Sequence, residues 1–118
     1  MSTREQVLQQ DIRAQLGRNP KLRIFRNNVG KAIPVGRGHK RPVDYGLCQG
    51  SSDLIGFRAV EVTPEMVGTV VAQFIAIEVK TPEGRVSEGQ GTFLRMVEEL
   101  GGLAMVARSL NDVEGLME

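Results

Sequence analysis

"FIAIEVKTPEGRVSEGQ", residues 74–90, starts as a buried strand and ends in charge. Read back to Thr69, the run "TVVAQFIAIEVK" (69–80) alternates so that Ala72, Phe74, Ala76, Glu78 and Lys80 share one face, with Ile75, Ile77 and Val79 on the other. Both faces are apolar until Glu78, the pattern of a central strand covered on both sides. A turn then leads to Ser87, which with Gln90 forms a capping-box pair at the start of a helix over about 88–100. Phe93, Leu94, Val97 and Leu100 make its apolar stripe, and Gly101-Gly102 ends it. "LAMVA" (103–107) follows as a short buried strand. A strand, a helix and a strand joined this closely predict a right-handed crossover between parallel strands.

Working outward, Leu8, Ile12 and Leu16 recur at helical spacing and predict a helix over 3–16, with Ser2 and Glu5 placed as a capping box. Gly17, Asn19 and Pro20 stop it. "LRIFR" (22–26) reads as a strand, and "DLIGFRAVEV" (53–62) as another that forms a hairpin with 69–80 across "TPEMVG". Between them lies a long connection rich in Gly, Pro and basic residues, a length more often functional than filler in so small a domain. Ser109 and Asp112 are placed to cap a last helix. The order is α-β-β-β-α-β, a single α/β domain over 1–118 with a mixed central sheet flanked by helices.

The 118 residues suffice for one modest core, and 41% hydrophobic with 25% charged residues is a globular composition. No apolar run approaches the roughly 20 residues of a membrane span, and the polar N-terminus has no signal-peptide core. A single cysteine, Cys48, excludes an internal disulfide and fits a reducing cytoplasm. With one histidine as well, a zinc site of the finger type is excluded, so any metal must be held by oxygen. The net charge of +1 hides an asymmetry: no acid lies between Asp11 and Asp44, where Arg13, Arg18, Lys21, Arg23, Arg26, Lys31, Arg37, Lys40 and Arg41 all fall. Such a segment is either a solvated basic face or the footprint of a polyanion. Few aromatics are available for base stacking, so a nucleic acid would be held through its backbone.

The candidate chemistry sits where the long strand leaves the core. A lone Glu-x-Lys on a strand is usually a surface pair worth about 0–1 kcal/mol. Asp53, after Gly-Ser-Ser, is either a turn residue or the partner of Glu78, because the expected hairpin sets the start of 53–62 beside the end of 69–80. Converging carboxylates need a cation or a proton, and as a cation Mg²⁺ takes one or two of them with water and phosphate oxygens. Lys80 beside such an ion would activate the attacking water or stabilise charge on a phosphate. Gln90 reads first as a cap.

Asp53, followed 25 positions on by Glu78-Val79-Lys80, resembles the PD-(D/E)XK nuclease superfamily. "FRNNVG", "GSSDLIGF", "AIEVKTPEGRVSEGQ" and "GGLAMVARS" together resemble the virus-type replication-repair nuclease (VRR-NUC) domain in its small stand-alone phage or prophage form, over Glu5 to Ser109. The resemblance implies a restriction-endonuclease-like core and Mg²⁺ or Mn²⁺ held by Asp53, Glu78 and the backbone carbonyl of Val79. Lys80 would orient or activate water, Gln90 would help position site groups, and Glu5 would complete or extend the metal site. Ser52 stands where the superfamily usually has proline. DNA contacts are expected from Arg23, Arg26, Asn27, Asn28, Lys31, Arg37, His39, Lys40 and Arg41. Relatives of this form imply a homodimeric endonuclease that resolves four-way junctions. Two alternatives stay open: the same chemistry on flaps, ends or nicked duplex, and a DNA-binding accessory protein without turnover.

Overall fold

The computed structural model describes residues 3–33, 35, 38 and 41–117. Ser2, Arg37, His39 and Lys40, named above as cap or DNA contacts, lie outside the described residues. The chain is α/β, as expected, and falls into two compact units, Met1–Arg58 and Ala59–Glu118.

In the first unit, helix α1 (Thr3–Leu16) packs on β1 (Leu22–Arg26). The described part of the long connection is not all loop: β2 (Gly30–Ala32) and β3 (Val43–Tyr45) pair antiparallel as a small ribbon. Strand β4 (Leu54–Arg58) lies antiparallel to β1, with Leu22 opposite Arg58 and Arg26 opposite Leu54. Phe25 and Phe57 meet diagonally across this ladder, their ring centroids 6.3 Å apart. At Gly56, opposite Ile24, the backbones approach so closely that a Cβ would collide with the Arg23 carbonyl.

This pairing corrects the expected hairpin. The partner of β4 is β1, and each sheet among the described residues has two strands. Residues 59–74 carry no strand; their only regular element is a 3-10 turn, Pro64–Met66. The β-branched run Thr69-Val70-Val71 has strand propensity, but such propensity reflects packing against neighbours. Val70 and Val71 are both exposed.

In the second unit β5 (Ile75–Val79) and β6 (Leu103–Ala107) are parallel, joined through α2 (Glu88–Glu99) as the crossover pattern predicts. Helix α2 packs on both strands, and its Val97 is fully buried. The helix ends in paired bonds from Gly102 N–H to the Val97 carbonyl and Gly101 N–H to that of Glu98, with Gly101 at φ 96°. The last segment, Leu110–Met117, is 3-10 and not an α-helix. No helix among the described residues is long and apolar enough to cross a membrane.

Candidate active site

On β5 the alternation puts the charged residues on the protected face. Phe74, Ala76, Glu78 and Lys80 are half-buried, while Ile75, Ile77 and Val79 are exposed. The sequence reading of two covered faces therefore holds for one of them. Glu78 lies in register with Val106 and Val79 with Ala107. One step on, the Lys80 N–H donates to the Ala107 carbonyl at 3.0 Å and carries the ladder to that residue. Among the described residues no ion pair joins Glu78 to Lys80, so the simple surface-pair reading of this motif is not what forms.

Gln90 takes the cap predicted for it. Its N–H donates to Ser87 Oγ at 3.1 Å, and its Oε1 accepts the Ser87 N–H at 2.9 Å. The same residue lines, with Glu78, a cavity of about 420 Å³ walled by Phe74, Phe93 and Leu94. Cap and cavity are thus compatible roles for one side chain.

In the first unit Asp53 is exposed, one residue before β4. What holds it there is Asn27, only 7% exposed. The Asn27 amide nitrogen donates to Ser51 Oγ at 2.7 Å and to the Ser52 carbonyl at 2.9 Å, and its Oδ1 accepts the Leu47 N–H at 2.8 Å. Its backbone N–H donates to the Asp53 carbonyl at 2.9 Å. Asn27 is therefore framework for the loop that presents Asp53, which corrects its assignment as a DNA contact. Asp53 also lines a depression of about 170 Å³ with Glu5, Leu8, Gln9, Ile12 and Leu54, so the structure brings Glu5 and Asp53 to one cleft.

A comparison with known families finds a match. The VRR-NUC domain matches residues 3–111, from the first residue of α1 into the C-terminal 3-10 segment. The chain belongs to the VRR-NUC domain family. No curated protein and no solved structure matches it. A VRR-NUC domain is a nuclease domain, so the activity class is hydrolysis of DNA phosphodiesters.

For a VRR-NUC chain the question is which donors could hold a divalent ion. Among the described residues no three His, Cys, Asp or Glu side chains cluster. The available donors are carboxylates: Glu5 with Asp53 in the first unit, Glu78 in the second. All are hard oxygens, and they fit Mg²⁺ or Mn²⁺, which binds through one or two carboxylates with water and phosphate making up the rest. Asp53 and Glu78 belong to different units, and the hairpin argument for their meeting falls with the β4–β5 ladder.

The basic residues of this VRR-NUC domain divide in the same plain way. Arg26, Asn28 and Arg41 are exposed. Arg23 turns its Nη1 back onto the carbonyls of Pro20 and Leu22, at 2.9 and 3.0 Å. Lys31 pairs with Asp44 at 3.4 Å across the β2–β3 ribbon, with both side chains largely in solvent. Sequence reasoning missed one residue altogether, Arg108, whose guanidinium bonds the turn after Lys80. A lone arginine after a short strand carries no local signal of that.

Proposed function

We propose that this nuclease domain is a Mg²⁺- or Mn²⁺-dependent endodeoxyribonuclease of the PD-(D/E)XK type. It acts as a symmetric homodimer on branched DNA, with four-way junctions as its preferred substrate. The observation that carries this reading is β5: an acid and an amine hold its half-buried face, unpaired with each other, while aliphatic side chains take the exposed one. Burying charge costs stability unless it is paired, so an unpaired acid and amine on this face call for a functional reason.

Asp53, Glu78 and the Val79 carbonyl would hold the ion, with Glu5 extending the site from α1. When bound, the ion supplies Lewis acidity at the scissile phosphate. Lys80 orients the attacking water and stabilises the negative charge that builds on the phosphate oxygens. Gln90 fixes the Glu78 side of the cavity while capping α2. Water oxygen bonds to phosphorus, the P–O3′ bond breaks, and the 3′ oxygen leaves with a proton, giving 5′-phosphate and 3′-hydroxyl ends. Arg26, Asn28, Lys31 and Arg41 hold the DNA by its phosphates, joined by Arg23, Arg37, His39 and Lys40. A reducing cytoplasm, in a host cell carrying a phage or prophage, suits an exposed free Cys48.

The test is cleavage of labelled four-way, flap, nicked and plain duplex DNA in Mg²⁺ and in Mn²⁺, by wild type and Lys80→Ala. Preferential cutting of the four-way substrate by wild type, lost in the variant, is the expected result. Equal binding with no cutting by either protein would make this a DNA-binding accessory chain. A preference for flaps or nicks would keep the chemistry and move the substrate.

A further inference from the structure

Lys80 is followed by a tight turn, Thr81-Pro82-Glu83-Gly84, closed by the Gly84 N–H donating to the Thr81 carbonyl at 3.0 Å. Pro82 in its second position pre-sets φ for such a turn. Local sequence would therefore form this turn unaided. Yet Arg108 Nη1 donates to three of its carbonyls: Gly84 at 2.6 Å, Thr81 at 2.7 Å and Pro82 at 3.3 Å. One nitrogen with two N–H bonds serves three oxygens, the Pro82 contact being the long member of a shared bond.

Arg108 is itself held. It directly follows β6, and its N–H donates to Asp112 Oδ2 at 2.7 Å. Asp112 in turn is tied back by its own N–H to the Ser109 carbonyl at 3.2 Å. The Lys80 N–H donates to Ala107, the residue just before. Lys80 is thus pinned on its N-terminal side by the ladder and on its C-terminal side by a guanidinium.

An exposed turn gains little from such a clamp, because water satisfies its carbonyls and ordering an arginine costs side-chain entropy. A residue that must present an amine to a reacting phosphate gains much, since small displacements of catalytic groups are expensive in rate. We propose that Arg108 is a positioning residue: by fixing the Thr81–Gly84 turn it sets the backbone of Lys80, and so the place of the amine at the scissile phosphate. The inference rests on the reading of Lys80 as catalytic.

The experiment compares wild type, Lys80→Ala, Arg108→Ala, the double variant and Arg108→Lys. Single-turnover cleavage of a synthetic four-way junction in Mn²⁺ is measured beside its Kd in EDTA. Amide hydrogen exchange is followed over residues 80–85, 22–26 and 54–58. Arg108→Ala should slow cleavage about tenfold or more, leave Kd unchanged, and raise exchange at 80–85 alone. Added to Lys80→Ala it should cost nothing further, because both changes remove one function. Arg108→Lys should recover part of the rate. Full additivity in the double variant, or unchanged exchange at 80–85, would overturn the assignment. If Arg108→Ala does not fold, Arg108→Lys and Arg108→Gln carry the same comparisons. If Lys80→Ala cuts like wild type, the reading of Lys80 itself is what fails, and the positioning role falls with it.

Discussion

At the scale of single residues, Glu78 sits where an aliphatic side chain would be more stable. Its strand neighbours Ile75 and Ile77 are exposed while the carboxylate occupies the half-buried face. Sites of this kind trade stability for activity, and relieving them commonly returns about 0.5–2 kcal/mol. Glu78→Met should therefore raise the urea midpoint of unfolding while abolishing cleavage. Glu78→Gln, which keeps the shape, should lower cleavage on the order of 10²-fold or more and weaken Mn²⁺ binding measured by calorimetry. A stable Glu78→Met protein that still cuts would remove Glu78 from the chemistry. Asn27 is the opposite case, a polar residue buried because its bonds are complete. Asn27→Ala leaves the Leu47 N–H and the Ser52 carbonyl without their partner and should cost about 1–3 kcal/mol in denaturant unfolding. Asp53, Glu78, Lys80 and Gln90 are candidates in the sequence because the resemblance to a nuclease family marks their positions. The roles of Asn27 and Arg108 could not be read there, because their side-chain partners lie 20 or more residues away along the chain.

At the scale of elements, signals confined to a few residues are legible in sequence, whereas the antiparallel pairing of strands far apart in the chain is not. Helix α2 begins at the Ser87 cap and ends at Gly101-Gly102, since both devices act within a few residues of chain. The parallel β5–β6 pair followed from the short helical connection between them. The partner of β4 was missed because strand pairing is non-local, and its marker, the close approach at Gly56, looks in sequence like any glycine in a strand. The double use of Gln90 is testable at this scale. Ser87→Ala removes the Oγ acceptor and should cost about 1 kcal/mol of stability with cleavage within about twofold of wild type once folded. Gln90→Ala removes half the same cap and also the side chain at the Glu78 cavity. It should cost similar stability but slow cleavage about tenfold or more. Equal rates for the two folded variants would leave Gln90 as a cap and nothing else.

For the whole molecule, the acid-free basic stretch leaves a polyanion partner and a solvated face both open, and a net charge of +1 says nothing about which basic groups are available. The structure sorts them. Arg26 and Arg41 are exposed, whereas Lys31 must give up its Asp44 pair and Arg23 its two carbonyls before either meets a phosphate. Each phosphate neutralised releases counterion, so log K should fall linearly with log salt concentration with a slope of about −0.9 per contact on duplex. Anisotropy of labelled four-way and linear DNA in EDTA, from about 50 to 200 mM KCl, gives that slope. Arg26→Ala and Arg41→Ala should each flatten it by about one contact and weaken binding uniformly across sequences, because phosphate contacts carry no sequence information. Lys31→Ala should change it less, since Asp44 already offsets that charge. Asn27→Ala, folded, should leave the slope untouched. If Arg26→Ala and Arg41→Ala keep the wild-type slope, the DNA lies on another face, and the acid-free stretch between Asp11 and Asp44 is a solvated surface after all.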